Sequence, residues 1–211
     1  MDPLAQLTEI RTIMERSSRF ISLSGLSGVG AGVVALAGVA VGQWYLHTHY
    51  GDDGLAQLMN GGANGRLAAL PFLLLLASLM VLLALGVAFF FTQRRARQDG
   101  TALWGALGRR LALSLAIPLV AGGLYCLMLY LRGGAGLVIP GMLLFYGLAL
   151  LNASKYTLDE IRWLGLTQIG LGLVATLFPA WGLLFFALGF GLGHIGYGLL
   201  MYNRYERSRP A

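Results

Sequence analysis

Six long apolar runs, at about 20–46, 67–91, 111–131, 136–152, 161–178 and 181–202, divide this 211-residue chain into seven polar pieces. Their lengths bracket the roughly 20 residues that a helix needs to cross a hydrocarbon core of about 30 Å. Lipid offers no partner to an exposed peptide group, so each run must satisfy its own backbone, and a helix does so within one segment. The polar pieces then give direction. The first, third, fifth and seventh hold thirteen Arg and Lys residues, whereas the even pieces hold only Arg66 and Arg132. Positive loops stay on the cytoplasmic side. The sequence therefore predicts an all-α polytopic protein of a bacterial inner (plasma) membrane, with six transmembrane helices and both termini in the cytoplasm.

Composition agrees: 57% of residues are hydrophobic and 11% charged, against about 25% charged in soluble domains. The net charge of +6 need not mean nucleic acid. Asp52 and Asp53 balance Arg66 and Arg132 on the outside, so the whole excess faces the cytoplasm, where anionic headgroups attract arginines next to the membrane. Membrane lipids are the expected partner. No nucleic acid is expected, because the basic clusters lie at span ends without interleaved stacking aromatics. The single cysteine, Cys126, lies inside the third run and excludes both an intrachain disulfide and a CxxC redox site. The first run follows Asp2, Glu9 and Glu15 and is too long for the apolar region of a signal peptide, so it reads as a retained span.

Three regions follow. Residues 1–19 carry Leu4, Leu7, Ile10 and Met14 at helical spacing, which predicts a short amphipathic helix on the cytoplasmic membrane surface or docked on the neighbouring loops. Residues 20–202 form one transmembrane domain, and 203–211 a basic cytoplasmic tail. The stretch Thr101–Leu107, with Leu103, Trp104 and Leu107, has a similar interfacial character. Tight links at Arg132–Ala135 and Pro179–Gly182 force antiparallel hairpins. Thr157 with Glu160 fits a capping box opening the fifth helix.

The chain also echoes itself. Laid without a gap on residues 165–182, residues 25–42 place Gly25, Leu26, Gly30, Gly32 and Gly42 on Gly165, Leu166, Gly170, Gly172 and Gly182. FYGLALLN (145–152) similarly matches GYGLLMYN (196–203). Three hairpins of one design, each starting inside, would be related in parallel and not inverted. The pairs Gly28/Gly32, Gly38/Gly42 and Gly189/Gly193 are small-xxx-small motifs, which let helix backbones approach closely in lipid. They serve either packing within the chain or a homo-oligomer.

The segment LGLTQIGLGLVATLFPAWGLLFFALGFGLGHIGYGLLM (164–201) resembles the repeated hydrophobic hairpin of the bacterial acid-resistance membrane protein family, six-span proteins built from three such hairpins. The shared features are the glycines of the fifth span, the Phe178–Pro179 corner and the glycine-rich sixth span. The first eighty residues, with MERSSRFISLSGLSG (14–28), are more similar to a group of bacterial six-span proteins of unassigned activity. The polar loop from His47 to Arg66 departs from the acid-resistance pattern. The resemblance implies a stress-related membrane role and transfers no catalytic residue.

Polar groups inside spans are costly and mark function. None of the nine carboxylates falls there, which argues against proton coupling through a buried acid and against carboxylate catalysis. No enzyme activity and no cofactor are expected. The candidate intramembrane polar site is His194, Gln168, Ser27, Thr167 and Ser24, with Ser27 and Thr167 equivalent in the repeat. His194 lies near the bilayer midplane and needs a partner, from Gln168, Tyr146 or a serine of the first span. It is either a satisfied packing residue or a proton-sensitive switch or solute contact. Haem would need a second histidine at that depth. His47, His49, Asp52 and Asp53 give a weak metal pattern that a solvated loop explains equally, so no metal is assigned.

Two functions remain. In the first, the protein is a non-catalytic membrane component acting on lipids or a partner through its cytoplasmic basic surface. In the second, it is a small channel or carrier for a neutral or weakly charged solute, with a path near His194. The first predicts a dry, glycine-packed bundle, and the second a water-accessible cavity.

Overall fold

The computed structural model describes residues 24–98, 100 and 105–207. The expected amphipathic element at 1–19, Trp104 and the tail from 208 onward lie outside them. The elements are α1 (Gly25–Tyr50), a short α2 (Gly54–Asn60), α3 (Ala63–Gln98), α4 (Ala106–Leu131), α5 (Val138–Ala153) and α6 (Asp159–Leu177). There follow α7 (Gly182–Phe186), a π-helical segment Ala187–Gly193, and α8 (His194–Tyr205).

Five segments are long and apolar enough to cross a membrane: Gly25–Tyr50, Ala63–Gln98, Ala106–Leu131, Ala135–Tyr156 and Pro179–Tyr205. The chain is thus a helical membrane protein. The expected fifth span, α6, does not meet that standard, because it takes in Asp159, Glu160, Arg162 and Gln168. At about 1.5 Å per residue the 36 residues of α3 reach roughly 54 Å. That exceeds the hydrocarbon core, so its arginine-bearing end projects beyond lipid.

Several local expectations change. The region 47–66, read as a polar loop, is mostly helical: α1 continues to Tyr50, and α2 fills Gly54–Asn60. Gly54 allows that turn, since a Cβ there would lie 2.6 Å from the Leu46 carbonyl. At the next corner Gly133 adopts φ +94°, a left-handed conformation suited to glycine. The expected capping box is absent, because α6 starts after Leu158 without a side-chain cap. The Glu160 carboxylate instead accepts hydrogen bonds from Arg204 and Tyr205, both at 3.0 Å.

Glycine seams set the packing. On α1, a Cβ at Gly25, Gly28 or Gly32 would press on the backbone of Gly198, His194 or Gly191. Rising numbers on one side meet falling numbers on the other, so α1 and α8 cross antiparallel. A second seam joins α5 and α6, where Gly147 faces the Gly165 carbonyl and Gly172 faces the Pro140 carbonyl. The outer flank of α1 carries α3, with Val87 on Gly30, Met80 on Gly38 and Leu76 on Gly42. The outer flank of α5 carries α4, with Phe145 on Gly122 and Cys126 on Gly141.

The two ends of this bundle are filled differently. At the arginine-poor end one apolar cluster joins Leu46 of α1, Leu58 of α2, Ala69 of α3 and Tyr130 of α4, with Val138 and Leu183 packed against it. Toward the arginine-rich end the clusters draw on α4, α5, α6 and α8, through residues such as Leu111, Leu150, Leu164 and Met201. Among the described residues these clusters hold none from α1 or α3, whose buried residues at that end include Ser24 at the N-cap of α1 and Ser27, and Thr92, Arg95 and Ala96.

Candidate intramembrane polar site

The turn that positions the site is the π-helical segment, where three glycines in Ala187–Gly193 place no Cβ in the way of a widened turn. Such segments occur frequently at functional sites. Gly189 is also pressed by the fold: a Cβ there would lie 2.6 Å from Leu143 of α5 and would also strike Gln168 of α6. Its carbonyl accepts a hydrogen bond from Gln168 Nε2 at 2.8 Å, and His194 Nδ1 lies 3.2 Å from the same oxygen. On the other side of the ring, Tyr146 Oη is 2.6 Å from His194 Nε2.

For the neutral ring these contacts select one tautomer by their chemistry. A carbonyl can only accept, so Nδ1 carries the proton, and Nε2 then accepts from the tyrosine hydroxyl. The neutral imidazole is fully satisfied, without a carboxylate or a second cation. The Gln168 orientation follows from the same rule, with its amide nitrogen facing the carbonyl. Its Oε1 is left buried without a hydrogen-bond partner. Gln168 is 0% exposed, so that acceptor is shielded from its surroundings. Phe186, Phe190 and the His194 ring form an aromatic ladder, with centroids 4.6 and 6.0 Å apart and Tyr146 4.9 Å from Phe190.

Of the five predicted site residues, the structure brings together His194 and Gln168. Tyr146, one of the suggested partners, completes the group. Ser27 Oγ instead donates to the Ser24 carbonyl at 2.5 Å, one turn back in its own chain. Thr167 likewise donates to the Trp163 carbonyl at 3.0 Å and is exposed. The two hydroxyls therefore do not converge on the bundle centre. Ser24 belongs to another group at the arginine-rich end, where its hydroxyl lies 3.2 Å from Glu206.

Of that second group the sequence had singled out only Ser24. Glu206 receives the Gly25 backbone N–H at 2.6 Å and Arg95 at 2.7 Å. The carboxylate thus caps the N-terminus of α1 from the far end of the chain, a favourable place for negative charge. The π-helical segment was foreshadowed only by its glycine density. At the opposite end His47 Nδ1 is 3.2 Å from Asp52, both exposed, while His49 turns back to the Tyr45 carbonyl. Among the described residues no three His, Cys, Asp or Glu side chains converge in a way that could hold a metal ion.

Fold and site together define a helical membrane protein with a buried, charge-free His–Tyr–Gln cluster on a π-helical turn. No family model, curated protein or solved structure matches this chain.

Proposed function

We propose that this protein is a non-catalytic component of a bacterial inner membrane, with six spans and both termini cytoplasmic, acting through its basic cytoplasmic face on anionic lipid. The observation that carries the reading is the apolar cluster joining α1, α2, α3 and α4 at the arginine-poor end, which obstructs a through-path there. The neutral, internally satisfied His194 supports it as well. At the other end Arg94, Arg97, Arg109, Arg110, Lys155 and Arg162 are all exposed. Counting α6 as a span is supported by its exposed Leu173, Val174 and Leu177, which water would disfavour. Tryptophan placement agrees, with Trp44 and Trp181 exposed toward one end and Trp163 toward the other, as interfacial belts require. The acid-stress role implied by the family resemblance is compatible with such a component.

Reconstitution into phosphatidylglycerol-containing vesicles tests the reading: sugar, glycerol and urea permeability should equal that of protein-free vesicles. Solute flux that disappears in Gln168→Leu would overturn it. One observation favours the second reading, a carrier with a path near His194. The unpaired Gln168 Oε1 beside a π-helical turn is where a donor group of a small neutral solute would bind. The same flux measurement decides between them.

A further inference from the structure

A cleft of about 270 Å³ lies at the arginine-poor end, between α1, the start of α2 and the Pro179–Trp181 turn that leads into α7. Close packing fixes its walls. Gly54 seats the start of α2 on the Leu46 carbonyl, and Gly182, at the start of α7, faces Leu55 of α2 and Ile139 of α5. The half-buried residues that line the cleft, Leu55, Ala56 and Leu183, are apolar, whereas its polar members Gln43, Asp52 and Asp53 are exposed. Leu183 also packs on the cluster that joins α1, α2, α3 and α4, so the cleft ends against that plug and is a seat, not the mouth of a path.

The rim is negative and unbalanced. Among the described residues no Arg, Lys or His lines the cleft beside Asp52 and Asp53. Asp53 stands at the N-cap of α2 without making a side-chain cap hydrogen bond, so its own helix does not use the carboxylate. Asp52 lies 3.2 Å from His47, itself exposed. Arg66, at the same end of the bundle, is turned to the Gly61 carbonyl and to Gly133 at the far corner.

We infer that this cleft binds a primary alkylammonium ion, its nitrogen among Asp52, Asp53 and the Gln43 amide oxygen and its carbon chain against Leu55, Leu183 and Trp181. A primary ammonium carries three N–H donors and no acceptor, and the rim offers three accepting groups. The face of Trp181 adds a further attraction for a cation. A bare metal ion gains nothing from apolar walls, and among the described residues it finds no third His, Cys, Asp or Glu ligand. An ethanolamine headgroup carries a phosphate beside its nitrogen, which two carboxylates without a neighbouring cation repel. The occupant is therefore a water-borne amine. This goes beyond the lipid-directed reading and does not depend on it.

The test titrates n-butylamine by calorimetry into the full-length protein in phosphatidylcholine nanodiscs, at neutral pH and low salt so that surface charge is little screened. Saturable binding in the millimolar range or tighter is expected, with n-butanol inert. Butyltrimethylammonium, which has the charge but no N–H donor, should bind about fivefold more weakly or worse. Asp52→Asn combined with Asp53→Asn should weaken butylamine binding by about fivefold or more, the loss of two exposed ion pairs, with the unfolding midpoint unchanged. Ala56→Trp, which fills the cleft and keeps both carboxylates, should abolish binding. Absence of saturable binding, binding that survives either variant, or equal binding of butanol overturns the proposal. Exchanging phosphatidylcholine for phosphatidylethanolamine should leave the constant unchanged, and competition by that lipid would give the cleft to a headgroup and overturn the water-borne amine. None of these outcomes touches the lipid-directed function, which the flux measurement decides.

Discussion

Gly198 is where the packing argument can be tested most sharply. A Cβ added there would lie 2.6 Å from the Gly25 carbonyl oxygen and 2.7 Å from the Val29 nitrogen, both backbone atoms that cannot rotate away. Ordinary contact begins at 3.4 Å, so α1 and α8 must separate by about 0.8 Å for Gly198→Ala. A gap of that size forfeits roughly a quarter to a half of each dispersion contact along the seam. Gly28 and Gly32 cross the same partner helix, so the loss is shared by several residues. Overpacking costs about 1–3 kcal/mol, and replacing glycine by alanine in a helix returns up to about 1 kcal/mol. The expected net loss is about 1–2 kcal/mol, or roughly 2–8 °C in unfolding midpoint for a chain of this size. Gly196, two positions earlier on α8, has nothing within 4 Å of its would-be Cβ. Gly196→Ala should therefore be neutral or raise the midpoint. Thermal unfolding of both variants in one detergent, followed by tryptophan fluorescence, gives the comparison. Equal midpoints for the two would refute the claim that a backbone seam holds α1 against α8.

Three further outcomes are expected. Tyr146→Phe removes the hydroxyl that His194 Nε2 accepts and should cost about 0.5–1.5 kcal/mol; His194→Leu strands that hydroxyl and should cost more, and chemical denaturation showing the reverse order would contradict the assigned tautomer. Glu206→Gln should lower stability by about 3 kcal/mol, since Arg95 is 7% and Glu206 16% exposed; a variant as stable as wild type would show that Glu206 is no pin. In a Cys126→Ala background, Asp53→Cys should react with an impermeant maleimide on intact spheroplasts and Arg207→Cys should not. The opposite pattern would invert the topology.

Much of the fold was legible because lipid imposes a local rule. An apolar run must be a helix wherever its neighbours lie, so α1, α3, α4 and α5 appear near their predicted positions. What escaped was whatever depends on distant partners. The Glu160 carboxylate could have capped its own helix, but Arg204 and Tyr205 reach it from 44 and 45 residues away. Arg95 and Glu206 look like ordinary solvated charges until the fold lays α8 beside α1. His194 stood out by being a titratable group in apolar text, and Tyr146 was one of three partners on offer. Only the π-helical turn, with the Gly189 carbonyl between Gln168 and His194, decides among them. Ser27 and Thr167 misled for a related reason. Each has a carbonyl within its own helix to satisfy it, so alignment in a repeat places no demand on where it points.

The same contrast bears on whether α6 crosses the bilayer. Composition treats every residue of Asp159–Leu177 alike, whereas a membrane responds to depth and direction. Asp159, Glu160 and Arg162 all fall in its first turn, at the end where arginines gather and where water and headgroups reach. Glu160 is moreover buried and paired with Arg204, so its charge is not presented to lipid. Beyond that turn the one amide or charged side chain is Gln168, which is 0% exposed and turned toward Gly189. The remaining outward surface is Trp163, Leu166, Thr167, Gly170, Leu173, Val174, Thr176 and Leu177, with both threonine hydroxyls returned to carbonyls of their own helix. Its 19 residues reach roughly 28 Å, close to the thickness required. A helix can therefore fall short on average apolarity and still present a largely apolar face to lipid, provided that its polar residues lie at the end, point inward or, like Thr167 and Thr176, bond to carbonyls of their own helix.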